Sequence, residues 1–122
     1  MNAVAEDTHR DAVRQARHWA WQRISAAVLA LCVLIHLGVM IYAVRGGLSA
    51  AEILGRTQGN WGFAAFYGIF VLACAVHVPL GLAAIGREWG GLSARAALRL
   101  AGAFALLLLV MGLRAVWAVV VP

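Results

Sequence analysis

Lysine is absent from this chain of 122 residues, and all ten basic residues are arginine. Charge of either kind is scarce: 12% of residues are charged, against about 25% in a soluble domain. The five acidic residues (Glu6, Asp7, Asp11, Glu52, Glu88) all lie outside the three long apolar runs. Cation-coupled transport calls for a carboxylate inside the membrane, which argues against a small ion or multidrug transporter, a third reading. The two cysteines, Cys32 and Cys74, sit inside different apolar runs, where a thiol is a small inert hydrophobe. There is no CxxC pair for zinc or an iron–sulfur cluster and no CxxCH for covalent haem. A GxGxxG dinucleotide fingerprint is also missing, so the chain holds no flavin or nicotinamide of its own by that route. The basic balance does not indicate nucleic acid, because the arginines gather at the ends of apolar runs, as membrane topology requires.

Apolar sequence is abundant: 64% of residues are hydrophobic. The pattern predicts an all-α membrane protein with three transmembrane helices, at about 24–44, 61–85 and 97–121. Each is close to the ~20 residues that cross a bilayer. Residues 1–18 form a polar N-terminal segment, expected to be a surface helix or disordered, and 19–122 form the anchor domain. The acidic residues ahead of the first run, with no small-residue cleavage site behind it, make that run a retained span, not a signal peptide. Trp19, Trp21 and Arg23 mark an interface.

Between the first two runs, Ser49 followed by Glu52 fits a capping box and predicts a short interfacial helix at about 50–56. Gly55 and Gly59-Asn60 supply turn residues after it. The pentapeptide Gly-Gly-Leu-Ser-Ala occurs at 46–50 and again at 90–94. It reads as one loop-then-cap solution used twice, with Ser93 capping the third long helix. Pro79 inside the second run predicts a local bend. Gly102 and Gly112 offer places for close helix contact.

Arginine counting gives the orientation. Arg10, Arg14, Arg17, Arg23, Arg87, Arg95 and Arg99 lie on one side, and Arg45, Arg56 and Arg114 on the other. The excess places the N-terminus in the cytoplasm and the C-terminus outside, in an inner (cytoplasmic) membrane.

Two histidines fall inside the runs, His36 in the first and His77 in the second. A neutral imidazole in an apolar bundle can bond a carbonyl, shuttle protons, bind a metal or ligate haem iron. Two histidines and two separated cysteines are too few for a closed zinc site. Haem needs only axial nitrogens, an apolar slot and cations near its propionates. Residues sharing the His77 face include Phe70, Ala73, Cys74, Leu80, Gly81 and Ala84, most of them small enough to admit a flat macrocycle.

The pattern His77, Gly81, Leu82, Glu88, Trp89 resembles the haem-ligand helix of the membrane-anchor (cytochrome b) subunits of succinate dehydrogenases and fumarate reductases. Gln22-Arg23-Ile24-Ser25-Ala26 is similar to the His-Arg-x-Ser-Gly stretch of the same family, and the count of three spans also matches. The resemblance implies that His77 is an axial ligand of a b-type haem, with Gly81 beside it and Arg23 near the propionates or the quinone pocket. It implies a quinone site at Ser25, Glu88 and Trp89, with Gln22, Ala26 and Trp89 departing from the family's His, Gly and Tyr. His36 resembles a first-helix ligand found in some of these anchors. Counted at ~1.5 Å per residue, however, the two histidines lie roughly 10 Å apart in depth.

The partners implied are a flavoprotein carrying FAD and an iron–sulfur subunit, together with a second anchor chain or a homodimer, lipid and membrane quinone. The function implied is electron transfer between the iron–sulfur partner and quinone. A haem-free structural anchor, whose histidines bond only across helices, is the alternative.

Overall fold

A computed structural model describes residues 2–122 of the chain. It consists of α1 (Asn2–Gly46), α2 (Ala50–Thr57), α3 (Trp61–Glu88) and α4 (Ala94–Val120), with no strand among the described residues. Three of these helices, α1, α3 and α4, are long and apolar enough to cross a membrane. The short helix expected between the first two runs is α2.

The polar residues 2–18 are not a separate element, because α1 runs unbroken from Asn2 through the first apolar run. No Gly or Pro occurs before Gly38 to interrupt it. The apolar half supplies the nucleus that a short polar helix cannot form alone, and the polar residues then need only propagate it.

Each later helix begins with a side-chain cap. Ser49 Oγ accepts from the Glu52 N–H, and Glu52 Oε2 accepts from the Ser49 N–H at 2.9 Å, completing the capping box. The Ser49 hydroxyl, donating to Glu52, holds that carboxyl below the usual carboxylate range, with help from the Ser49 backbone N–H. A depressed carboxylate pKa stabilises the fold above the unfolded value, so the α2 start should loosen only as pH falls below the carboxylate range. Asn60 caps α3 through Phe63, and Ser93 caps α4 through Ala96.

The repeated pentapeptide folds the same way twice. Gly47 and Gly91 have φ of 102° and 62°, in the left-handed region. Ser49 and Ser93 then take nearly identical φ/ψ, −64/155° and −63/154°. Only the first copy has a glutamate three residues on, which explains why only it forms the reciprocal box.

α3 is the central helix, with α4 packed closely along it and α1 antiparallel on another side. The α3–α4 approach is set by Gly112: a Cβ there would lie 2.6 Å from Val71 Cγ1. Gly102 has no neighbour within 4 Å and serves a different purpose, described below. Gly112→Val should therefore push α4 off α3 and cost about 1–3 kcal/mol through overpacking, measurable as a lower Tm in detergent. Gly102→Ala should leave Tm unchanged.

At the far end α2 acts as a clamp on α4. Thr57 Oγ donates to the Val119 carbonyl at 2.7 Å, and the Gly59 N–H donates to the Val120 carbonyl at 2.8 Å. Both carbonyls belong to the last turn of α4 and have no partner within that helix. Arg56 bonds the Gly47 carbonyl and lies over the Tyr42 ring, tying the same loop to α1. Thr57→Val should free the α4 terminus at a cost of about 1–3 kcal/mol. Faster amide exchange at Val121 and Gly59 would report it.

Large apolar side chains remain exposed along α1 and α4, among them Leu31, Leu34, Ile41, Leu106 and Leu113. Lipid or further helices suit such faces; water does not.

Candidate cofactor and quinone site

Both intramembrane histidines point into the α1–α3 seam. His77 Nδ1 lies 3.2 Å from Ser25 Oγ, and the Ser25 hydroxyl also reaches the Gln22 carbonyl at 3.1 Å. His36 Nδ1 lies 2.9 Å from the Tyr67 hydroxyl, and the His36 ring meets Tyr67 and Phe70 edge-on. These two side-chain bonds give α1 and α3 their register. Each side chain is half-buried, and Ser25 is almost fully so.

The two histidines are not brought together. His36 sits level with Tyr67, ten residues from His77 on α3, which is roughly 15 Å along the axis. One iron cannot take both rings from a single chain. The depth offset expected from sequence is present and somewhat larger. Among the described residues, no three His, Cys, Asp or Glu side chains converge as a metal-binding group.

One helical turn from His77, which does not itself line it, residues of α1, α3 and α4 border an open cavity of about 800 Å³ on the Arg-rich side. Its walls are mainly small: Ala75, Ala83 and Ala84 with Gly81 from α3, and Ala97, Ala101, Gly102 and Ala105 from α4. Leu80, Gly81 and Ala84, named above for the His77 face, all line it, whereas Ala73 is buried and Phe70 packs on His36. Gly102 thus contributes space, not contact.

The polar end of the cavity holds His18, Gln22 and Arg87, with Trp21 beside them. Gln22 Oε1 is buried there without a hydrogen-bond partner. A buried acceptor left unpaired costs about 1–3 kcal/mol, which a ligand bearing a donor would recover. Gly81 faces the amide: a Cβ on it would stand 3.4 Å from Gln22 Nε2, at van der Waals contact. A smaller recess lined by Glu88 and Leu92 shares Ala84, Arg87 and Ala94 with the main cavity.

The other residues named from sequence do not converge on this cavity. Arg23 lies 5.4 Å over the Trp19 ring, away from the cavity lining. Ser25 is buried against His77, and Trp89 is 87% exposed beyond the end of α3. Glu88 reaches only the side recess. Gly81 alone of the named set lines the main chamber. Gln22, His18 and Arg87 were missed as site residues. For Gln22 a signal existed, since a neutral amide stands there at the start of an apolar run, one turn before a serine.

Among the described residues, then, the chain is helical, with three helices of membrane-crossing length and an inter-helix chamber that is polar at one end. Comparison with protein-family models, with curated proteins and with solved structures returned no match to this chain.

Proposed function

We propose that this chain is a membrane-anchor, b-type haem-binding subunit of a succinate dehydrogenase or fumarate reductase type complex, passing electrons between an iron–sulfur partner and membrane quinone. The observation that carries the reading is the placement of His77 one helical turn from an Ala/Gly-lined chamber whose polar end holds the unpartnered Gln22 Oε1. The arginine bias puts that end in the cytoplasm, where a soluble partner docks.

His77 would be the side chain of this chain that holds haem iron. Its Nδ1 is engaged by Ser25, which leaves the other ring nitrogen for iron. His36, engaged by Tyr67, is too distant to share an iron with His77, so a second ligating nitrogen would have to come from a second anchor chain or a second copy. Bound there, haem supplies a one-electron carrier close to the quinone. Arg23, on the same end of α1 as Ser25 and stacked over Trp19, would be the cation available to a propionate. The chamber accepts the quinone ring between alanine walls. Gln22 Oε1 takes a hydrogen bond from a quinol hydroxyl, and Arg87 holds the entrance. Glu88, in the adjoining recess, is a proton acceptor on the water side, and exposed Trp89 faces the partner. Flavin and clusters belong to partner subunits.

The test is to purify the chain from its native membrane and look for a flavoprotein and an iron–sulfur protein with it, and for a reduced-minus-oxidised b-type haem spectrum. Both are expected. Their joint absence would overturn the assignment. A second reading, a haem-free anchor, is favoured by the hydrogen bonds that both histidines already make across α1 and α3. Co-purified partners without a haem spectrum would establish it.

A further inference from the structure

We infer that Ser25 is a positioning residue that fixes the tautomer of His77, rather than a residue of the quinone pocket. Ser25 Oγ lies between two acceptor-capable atoms, the Gln22 carbonyl oxygen at 3.1 Å and His77 Nδ1 at 3.2 Å. A hydroxyl carries a single proton. If that proton went to His77 Nδ1, Ser25 Oγ and the Gln22 carbonyl oxygen would face each other at 3.1 Å with no hydrogen between them. Only one assignment makes both contacts attractive: Ser25 donates to the Gln22 carbonyl and accepts from a protonated His77 Nδ1. The lone pair of the imidazole then resides on Nε2.

Burial makes this choice consequential. Ser25 is 5% exposed, so water cannot substitute for either partner. The carbonyl lies one turn back on the same helix, so the hydroxyl is held in place by the backbone of α1 before α3 is docked. The relay Gln22 carbonyl, Ser25 hydroxyl, His77 Nδ1–H therefore reads the register of α1 against α3 and converts it into the identity of the basic nitrogen. A second-sphere acceptor on Nδ1–H is the usual device that orients a metal-binding histidine and raises its basicity. The iron-directed consequence rests on the haem reading; the tautomer does not.

The haem-free full chain, labelled with ¹⁵N-histidine and reconstituted in nanodiscs, tests the two apart. The wild type should show His77 protonated at Nδ1. Ser25→Ala should shift the Nδ1–H to Nε2–H ratio about threefold to tenfold toward Nε2–H, the range of one net hydrogen bond. Ser25→Thr, whose hydroxyl can bond the same carbonyl, should restore the wild-type ratio. His36, which bonds Tyr67, should not respond and serves as the internal reference. A wild-type His77 protonated at Nε2, or a ratio unmoved in Ser25→Ala, would overturn the inference. In the haem-loaded complex Ser25→Ala should also shift the midpoint potential upward without removing the spectrum, because a less basic imidazole favours the oxidised iron less; complete loss of haem in Ser25→Ala would mean a role in folding the pocket and would overturn the positioning assignment.

Discussion

His77→Ala should abolish the b-type haem spectrum of the purified complex, while His36→Ala retains it. The argument is geometric. His77, held in the α1–α3 seam by Ser25, stands one helical turn from Gly81 of the chamber wall, whereas His18 lies at the chamber's polar end. His36 is held roughly 15 Å away by its bond to Tyr67 and its edge contacts with Phe70. An alanine at 77 removes the nitrogen and leaves Ser25 without its cross-helix partner. Because that bond also contributes to α1–α3 register, His77→Gln is a useful companion: it retains a hydrogen-bonding side chain but is a poor iron ligand. Loss of the spectrum in both variants with helicity preserved by circular dichroism supports ligation. A full haem spectrum in His77→Ala would defeat it.

Filling the chamber should cost quinone turnover at least as heavily. Ala101 stands on the α4 wall, opposite the α3 residues that complete the slot. Ala101→Phe would place a ring where the substrate ring is proposed to lie, and quinone reductase activity should fall on the order of 100-fold, the scale set by misplacing a reacting group by an ångström or more. Gln22→Leu is the subtler probe. It keeps the volume and deletes the orphaned acceptor, so affinity for quinol should drop by about tenfold. The haem spectrum and Tm should remain close to wild type in Gln22→Leu. Unaltered kinetics in both variants would place the quinone elsewhere, with the exposed end of α3 around Glu88 and Trp89 the next place to look.

Element positions were legible from sequence because their signals are local. Ser49 with Glu52, Ser93, and the Gly-Gly pairs act within four residues, and each appears in the fold where the pattern placed it. The unbroken α1 was less legible, since its polar half has no amphipathic pattern and is helical only by attachment to the apolar half. Gly112 and Gly102 were indistinguishable in sequence, yet one meets Val71 and the other opens a chamber. That difference depends on helix rotation, which composition does not encode. The same limit governed the site. The depth of His36 and His77 could be counted along the spans, but the Ser25–His77 and His36–Tyr67 pairings depend on which faces of α1 and α3 meet. Gln22 emerges only when burial is known, because its distinguishing property is the partner it does not have.

The continuity of α1 has a mechanical consequence. At ~1.5 Å per residue, the segment 2–18 projects about 25 Å beyond the Trp19–Arg23 boundary as a stiff extension of the apolar helix. A span tilt of about 20°, typical for a membrane helix, would carry the tip sideways by about 9 Å. The polar arm is thus a lever: its reach over the water-side surface is set by how α1 leans against α3, and any partner that grips the arm gains leverage over the helix seam that holds His36 and His77.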